Sequence, residues 1–256
     1  MTRVFGIVGD PIDQVRSPSV FNALFRERNV DAVMVALHVR PGGLAAALDG
    51  LRRVDNLGGL IVTVPHKMAA ASIAVKTSGR VAIAHAANAL RPGDDGWEAD
   101  LFDGEGFARG METAGYMLRG KRCAVVGCGG AGAAIAVALL ERDIGQLCLR
   151  DTDESRCESL AARLRAARNI EIAVRAPDDR DDIAVNATPL GMDARDPLPF
   201  RVEQLGSAAI VADVVMKPAR TRLLELASQR GLRTQEGRHM LDNQVESIWE
   251  FFGLRR

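Results

Sequence analysis

The amino-acid sequence predicts an α/β fold made of two domains. Short runs rich in valine and isoleucine alternate with helical patterns along the 256 residues, and this arrangement produces a mostly parallel sheet covered by helices. The length suits one large domain or two ordinary ones, and a hydrophobic content of 47% is enough to fill their cores. A second block of strands and helices, which contains a glycine-rich turn, begins near Asp103.

In the first block we predict three strands and two helices. The strands are residues 4–9, 32–39 and 59–64. The first helix begins at Ser17-Pro18, because a serine hydroxyl can cap a helix by accepting an unpaired amide and proline has no amide to lose. A second helix runs through Leu44, Leu48 and Leu51, whose spacing places them on one face.

The second block opens with an amphipathic helix and continues with strands at 122–127 and 146–151. The glycine turn and a helix that ends near Glu141 join these two strands. Further strands are predicted in the segments EIAV, IAVNAT and AIVADVV. A last helix, residues 239–252, carries apolar residues at helical spacing. The charged run 178–182 is predicted to be a solvated connection.

Charge and cysteine content narrow the function classes. The 33 basic residues balance the 33 acidic ones, so no net field attracts nucleic acid or a membrane, and we expect a small-molecule partner. The first apolar run is too short for a signal peptide, and no stretch approaches the roughly 18 apolar residues of a membrane span, so we expect a cytoplasmic protein. The cysteines form no CxxC pair, so no metal is expected. A monomer and a homodimer are both compatible with the sequence.

The glycine-rich turn predicts a dinucleotide-binding site. Gly127, Gly129, Gly130, Ala131 and Gly132 follow an apolar strand directly and open an alanine-rich helix, which is the context required of such a fingerprint. Glycine lets the backbone approach a pyrophosphate, and the amides and positive dipole end of the helix attract that anion. The alternative is a tight turn that binds no ligand.

Asp151 adds a second element to this site. It ends the next strand, about twenty residues past the fingerprint, where a carboxylate can accept hydrogen bonds from ribose hydroxyls. Its charge repels the additional phosphate of NADP, so we expect NAD as the cofactor. NADP is the alternative, because Arg150 could turn outward to a phosphate. The alternative role for Asp151 is that of a helix cap or turn residue.

Several short motifs occur in a characteristic order. They are Gly9-Asp10-Pro11 through Ser17-Pro18, VTVPHK at 62–67, Asn88, DLFDGEG at 100–106, NATPLGM at 186–192, Asp213-Val214-Val215 with Pro218 and Thr221, and Met240-Leu241 with Gln244. Together they resemble the shikimate/quinate dehydrogenase family over roughly residues 5 to 253. The resemblance implies a substrate-binding and catalytic domain of residues 1–102 plus 237–256, to which the C-terminal helix returns, and a Rossmann NAD(P)-binding domain of residues 103–236.

The resemblance also implies a reaction, namely reversible hydride transfer between a nicotinamide and the ring hydroxyl of shikimate or a relative such as quinate. The residues that match functional positions of the family are the catalytic pair Lys67 and Asp103, the substrate-binding Ser17, Thr63, Asn88 and Gln244, and the cofactor-binding Thr188, Met192 and Val214. Taken singly, Lys67 would be a surface lysine and Asp103 a helix cap. The neighbouring His66 is expected to play no part.

The sequence departs from the family pattern at positions where polar residues or glycine are usual. These positions hold Val15, Ile61, Leu101-Phe102, Met216 and His239. A hydrogen bond to a charged group is worth about 1.5–3 kcal/mol, so losing one weakens shikimate binding roughly tenfold to more than a hundredfold. Two alternatives therefore stay open: the same chemistry on an aminated or less polar ring carboxylate, and a dinucleotide-binding regulator without turnover.

Overall fold

A computed structural model describes residues 1–13 and 15–254. The chain divides into two compact units, the first made of Met1–Phe102 with the chain from Val245 onward, and the second of Asp103–Gln244. Residues 237–244 therefore group with the second unit and not with the first, because they pack closely on its first helix: a Cβ atom on Gly106 would lie 2.1 Å from the Met240 carbonyl oxygen. The α/β class is confirmed, whereas the roles of the two units stay predictions.

Strands and helices alternate along the chain. The strands are β1 (Arg3–Gly9), β2 (Ala32–His38), β3 (Leu57–Val62), β4 (Lys76–Thr77), β5 (Ala89–Pro92), β6 (Trp97–Asp100), β7 (Arg122–Val126), β8 (Gln146–Arg150), β9 (Glu171–Val174), β10 (Ile183–Asn186), β11 (Ile210–Asp213) and β12 (Arg233–Gln235). The helices are α1 (Ser17–Glu27), α2 (Leu44–Leu51), α3 (Lys67–Ile73), α4 (Gly79–Ala84), α5 (Asp103–Thr113), α6 (Gly130–Glu141), α7 (Glu154–Ala167), α8 (Arg222–Gln229), α9 (Arg238–Asp242) and α10 (Val245–Phe251). Among the described residues, no helix is both long and apolar enough to cross a membrane.

The first unit contains a mixed sheet in the order β2-β1-β3-β5-β6-β4. β1 pairs in parallel with β2 and β3, whereas β5 runs antiparallel to β3 and β6. The three parallel strands β1, β2 and β3 therefore end on the same side of the sheet, and the loops that follow their carboxyl ends meet there. The predicted strand 59–64 ends at Val62, which places Thr63 and Val64 in one of these loops.

An aromatic core fixes α10 to this sheet. Phe5 of β1 lies 5.4 Å from Phe25 and 5.1 Å from Phe252 between ring centroids, and Trp249 lies 5.6 Å from Phe25. All four side chains are buried. Burying each large aromatic side chain contributes about 1.5–3 kcal/mol relative to leaving it exposed. The predicted return of the C-terminal helix to the first unit is confirmed.

Asn22 on α1 covers the edge of this sheet at Met34. β2 is the edge strand, and the Met34 amide donates to Asn22 Oδ1 at 2.8 Å while Asn22 Nδ2 donates to the Met34 carbonyl at 2.9 Å. The side-chain amide thus takes the place that a neighbouring strand would occupy. β2 exposes Val33 and Val35, and an uncovered apolar edge strand is a template for pairing between chains.

We expect Asn22→Leu to lower the free energy of unfolding by about 1–2 kcal/mol and to promote self-association, because two backbone groups of Met34 lose their partner. Chemical denaturation and sedimentation velocity measure the two effects. Asn56→Leu is the control, since Asn56 makes its hydrogen bond to Thr2, near the chain terminus. Equal behaviour of the two variants would contradict the protective role of Asn22.

The second unit contains a fully parallel sheet in the order β12-β11-β10-β7-β8-β9. This is the strand order of the Rossmann fold, in which the direction of winding reverses between β7 and β10. Ligands bind beyond the carboxyl ends of the strands at such a point. α6, which follows β7, is buried from Gly132 to Leu140, as expected of a helix that is apolar all round.

The predicted helix 239–252 is interrupted. α9 ends at Asp242 and α10 begins at Val245. Asn243 Nδ2 donates to the His239 carbonyl at 2.8 Å, so its side chain competes for a backbone acceptor of the helix. The sequence pattern could not reveal this break, because the apolar spacing continues through it.

The charged run 178–182 is also different from the prediction. Asp181 is buried, accepts hydrogen bonds from both terminal nitrogens of Arg175 at 2.8 Å, and accepts one from the Asp178 amide at 2.9 Å. The prediction of a solvated connection is therefore wrong for Asp181. A two-pronged arginine–carboxylate pair provides the charge compensation that burial of an aspartate requires.

The four cysteines, Cys123, Cys128, Cys148 and Cys157, are free and buried. Burial raises the pKa of the Cys148 thiol to about 11, so this thiol stays protonated and behaves as a small apolar group. In the part of the chain that the structure describes, no group of His, Cys, Asp and Glu side chains could hold a metal ion.

Candidate functional site

The turn after β7 is compact enough that two of its positions admit only glycine. Gly127 has a φ of +101°, in the region that L side chains rarely adopt. A Cβ atom on Gly132 would lie 1.7 Å from the Gly127 carbonyl oxygen. The Gly127 amide donates to the Arg150 carbonyl at 2.7 Å, which ties the turn to the end of β8.

Gly129, in contrast, faces open space. A Cβ atom built there has no heavy atom within 4 Å. α6 begins at Gly130, and the Ala133 amide makes the first helical bond, to Gly129, at 2.9 Å. The amides of the first helical turn have no acceptor within a helix, and the positive end of the helix dipole lies there. The turn of residues 127–132 therefore forms an open glycine cradle, and a cradle with these donors fits a pyrophosphate.

Asp151 lies directly beside this cradle. Its carboxylate accepts hydrogen bonds from the Cys128 amide at 2.7 Å and the Asp153 amide at 3.0 Å. Partial burial raises the pKa of Asp151, but these hydrogen bonds outweigh that effect and hold the pKa below its usual value. Asp151 is therefore ionised at neutral pH and fixed in orientation.

The two arginines nearest to Asp151 in sequence are both engaged with acidic side chains. Arg150 lies 3.3 Å from Glu154, and Arg156 lies 3.4 Å from Asp153. All four side chains are substantially exposed, so each ion pair contributes little stability. Together with Asp151, these pairs give the region an excess of negative charge.

Two further loops of the second unit carry predicted cofactor residues. Thr188 follows β10, and its hydroxyl donates to Asn186 Oδ1 at 2.6 Å. Val214 follows β11, and its amide donates to the Asn186 carbonyl at 3.0 Å. Met192 is 45% exposed at the far end of the first loop. The structure thus brings Thr188 and Val214 together through Asn186.

In the first unit, Thr63, Lys67 and Asn88 lie around the carboxyl end of β3. Thr63 follows the last strand residue, Val62, whose amide donates to the Asn88 carbonyl at 2.8 Å. Lys67 is the first residue of α3, and its carbonyl accepts from the Ala87 amide at 2.8 Å. The backbone therefore brings together three of the four predicted residues of the first unit.

The fourth predicted residue of this unit, Ser17, is the first residue of α1 and is buried. Arg16 occupies the capping position, so the predicted capping role of Ser17 is wrong. The two nearby departures from the family pattern are apolar in their packing as well as in type. Ile61 is buried in the hydrophobic cluster that includes Phe21 and Phe102, and Val15 packs against the same cluster.

Asp103 and Gln244 belong to the second unit. Asp103 is the first residue of α5, where an acidic side chain is favoured by the helix dipole. A Cβ atom on Gly106 would lie 2.9 Å from the Cβ of Gln244, so Gln244 packs one helical turn from Asp103. Asp103 and Gln244 are both buried. Few polar side chains are buried in this way without a specific role.

Two residues have roles that the sequence did not predict. His66 is buried, and its Nε2 donates to the Val39 carbonyl at 2.6 Å, which joins the loop before Lys67 to the end of β2. Asn88 Oδ1 accepts from the Phe102 amide at 2.7 Å and so holds the chain immediately before Asp103. Both contacts join segments distant in sequence, and a single sequence carries no signal for them.

Comparison with known proteins identifies relatives over the whole chain. A family model described as the shikimate dehydrogenase substrate binding domain matches residues 7–90. The shikimate dehydrogenase (NADP(+)) of Rubrobacter xylanophilus is 34% identical over an alignment of 247 residues, which covers 94% of this chain and 87% of the relative.

Solved structures of related fold also match this chain over its length. The shikimate 5-dehydrogenase from Listeria monocytogenes, in complex with shikimate and NAD, superimposes with a TM-score of 0.88 at 26% identity, covering 100% of this chain and 93% of the other. The ligand-free 5-ketofructose reductase of Gluconobacter sp. strain CHM43 gives a TM-score of 0.86 at 26% identity, with coverage of 100% and 94%. From the identity and coverage of these matches, the chain belongs to the shikimate dehydrogenase family.

Proposed function

We propose that this protein is a nicotinamide-dependent dehydrogenase that interconverts shikimate and 3-dehydroshikimate, or acts on a close relative such as quinate. The observation that carries the proposal is the 34% identity, over nearly the whole chain, to a protein named shikimate dehydrogenase. The open glycine cradle and the ionised Asp151 support it independently, because they form a site suited to a dinucleotide.

Lys67 and Asp103 are the proposed catalytic pair. A bound nicotinamide supplies the hydride acceptor at C4. We infer that Lys67 Nζ hydrogen-bonds the reacting oxygen, stabilises negative charge on it and relays its proton, and that Asp103 is the second acid–base group of the reaction. The backbone of each residue is fixed at the start of a helix, and such positioned acid–base groups contribute about 10²–10⁴-fold to a rate.

Four short or amide side chains are proposed to hold the substrate hydroxyls and carboxylate. They are Ser17, Thr63, Asn88 and Gln244. Of these, Ser17, Asn88 and Gln244 are buried, and buried polar groups of this kind fix the orientation of a bound polyol.

NAD is the proposed cofactor, although curated relatives are named for NADP(+). The support is electrostatic: Asp151, Asp153 and Glu154 outnumber the two arginines that pair with them. An additional dianionic phosphate would meet net repulsion there.

We expect the wild-type protein to bind NAD at least about tenfold more tightly than NADP, which corresponds to about 1.4 kcal/mol. Asp151→Asn is expected to narrow this ratio, because it removes one negative charge and keeps an oxygen for the Cys128 amide. Isothermal titration with both cofactors measures the ratio. The control is Asp193→Asn, which removes an exposed carboxylate paired with Arg195. Tighter binding of NADP than NAD by the wild type would reverse the cofactor assignment.

A second candidate substrate class is favoured by the packing of Val15 and Ile61. Both side chains contribute to an apolar cluster, so this side of the first unit offers fewer hydrogen bonds to a carboxylate than the family pattern implies. A less polar or aminated ring carboxylate is one substrate that such a site could accept. An uncharged polyhydroxy ketone is another, since the structural relative from Gluconobacter is named for 5-ketofructose.

A substrate panel separates the shikimate and quinate proposal from the polyhydroxy ketone candidate. Specificity constants are measured with NAD for shikimate and quinate oxidation, and with NADH for reduction of 3-dehydroshikimate and 5-ketofructose. The highest constants for the shikimate couple would support the leading proposal. A higher constant for 5-ketofructose would assign the chain to the second class and leave the proposed hydride chemistry intact.

A further inference from the structure

A buried polar network joins the two loops of the second unit that carry the predicted cofactor residues Thr188 and Val214. Its members are Asn186 at the end of β10, Asp213 at the end of β11, and Thr221 before α8; their exposed fractions are 0%, 2% and 1%. We propose that Asp213, held between Asn186 and Thr221, is a positioning residue that fixes both loops against the nicotinamide half of the cofactor. This inference rests on the proposed dehydrogenase function.

Asp213 accepts hydrogen bonds on both carboxylate oxygens. Oδ1 accepts from Asn186 Nδ2 at 3.0 Å and from the Val215 amide at 2.9 Å. Oδ2 accepts from Thr221 Oγ1 at 2.7 Å. The carboxylate therefore determines the path of the chain that leaves β11 through Val214 and Val215.

Asn186 extends the network into the other loop. Its Nδ2 also donates to the Leu190 carbonyl at 2.9 Å, and its Oδ1 accepts from the amide and the hydroxyl of Thr188 at 3.0 and 2.6 Å. The Thr188 hydroxyl in turn accepts from the Leu190 amide at 3.1 Å. The loop from 187 to 190 is thus wound around one side chain, which Asp213 holds in place.

Packing alone does not explain this network, because burying the Asp213 carboxylate costs folding free energy. Burial raises the pKa of Asp213 against the effect of its hydrogen bonds, so the ionised carboxylate is disfavoured by its surroundings. Apolar side chains of similar volume often fill such a space with equal or greater stability. The charged group lies at the carboxyl edge of β10 and β11, where this fold binds its ligand. We infer that Asp213 serves to fix the geometry of the two loops.

Thr221→Val and Thr221→Ser form the matched pair that tests this inference. Valine preserves the shape of threonine and removes the hydroxyl that donates to Asp213. Serine keeps the hydroxyl, which also caps α8 through the Leu224 amide. The readouts are the affinity for ADP-ribose, which lacks the nicotinamide ring, the fluorescence of bound NADH, and kcat with shikimate.

We expect Thr221→Val to bind ADP-ribose with unchanged stoichiometry and near wild-type affinity, because we propose that the adenine half of the cofactor binds at β7, α6 and β8. Its bound NADH fluorescence shifts toward that of free NADH, and kcat falls about tenfold, which corresponds to about 1.4 kcal/mol of activation free energy. Thr221→Ser retains the wild-type values. Wild-type fluorescence and kcat in Thr221→Val would overturn the inference, as would a large loss of ADP-ribose affinity.

Asp213→Asn covers the case in which the valine variant does not fold. It keeps the shape of the side chain and weakens the hydrogen bonds, so bound NADH fluorescence is expected to lie between the serine variant and free NADH. Fluorescence identical to the wild type in a folded Asp213→Asn protein would contradict the positioning role. If the wild type does not turn over shikimate, the proposed substrate is wrong, and the fluorescence comparison still decides the role of Asp213.

Discussion

Lys67→Ala is expected to lower kcat for NAD-linked shikimate oxidation by about 10²–10⁴-fold, the usual contribution of a positioned acid–base group. The Michaelis constants should change much less, because the ammonium is proposed to act mainly on charge that develops in the transition state. Steady-state rates across shikimate and NAD concentrations measure both effects. A fall in kcat without a parallel rise in the Michaelis constants distinguishes a chemical role from a binding role.

Lys76→Ala is the matched control, because it removes a lysine from the same unit. Lys76 has an exposed side chain and pairs with Glu98 at 2.9 Å, so its loss should leave kcat unchanged. Full activity of Lys67→Ala would exclude Lys67 from the chemistry. A wild-type protein that binds cofactor yet turns over no substrate of the panel would instead favour the non-catalytic regulator.

Gly132→Ala and Gly129→Ala are expected to fail in different ways. The methyl group at 132 would lie 1.7 Å from the Gly127 carbonyl oxygen, so this variant should lose about 3 kcal/mol of unfolding free energy, the upper end of the usual cost of overpacking. The methyl group at 129 has open space in the free protein but lies where we propose that the pyrophosphate approaches. Gly129→Ala should therefore keep wild-type stability and bind NAD at least about tenfold more weakly.

Thermal denaturation and NAD titration of both variants measure these effects. Gly50→Ala provides the control, because a Cβ atom there also has open space and Gly50 lies on α2 of the first unit. Its stability and NAD affinity should match the wild type or exceed it slightly. Undiminished NAD affinity of Gly129→Ala would show that the cradle does not hold the pyrophosphate.

Local sequence patterns predicted the part of the site that depends on backbone geometry. Strand, glycine turn and helix lie in one continuous segment, and the requirement for glycine at 127 and 132 has a direct steric cause. Asp151 is predictable because it ends the next strand, at the expected distance along the chain from the glycine turn. These predictions needed no knowledge of tertiary contacts.

The structural roles of Asn22, His66 and Asp213 could not be predicted in this way. Each makes hydrogen bonds to groups that are distant in sequence, such as Met34, Val39 and Asn186. Such contacts depend on how strands are ordered in the sheet, and residue type or spacing does not reveal that order. The buried Asp181 was missed for the same reason, since a charged run is usually solvated.

Lys67, Asp103 and the substrate-binding residues came from family resemblance alone. Their residue types are common at helix starts and strand ends, and no periodicity singles them out. The structure fixes the backbone of each residue within its own unit, and their joint role in catalysis stays a prediction. Rate measurements on the intact protein are therefore the direct test.

The initial rate of nicotinamide reduction by the purified wild-type protein tests the central claim most directly. NAD and NADP are each combined with shikimate and with quinate at neutral pH. We predict rapid reduction of NAD with shikimate or quinate, and a lower rate with NADP. Absence of reduction in all four combinations, with cofactor binding intact, would contradict the proposed activity on these ring acids.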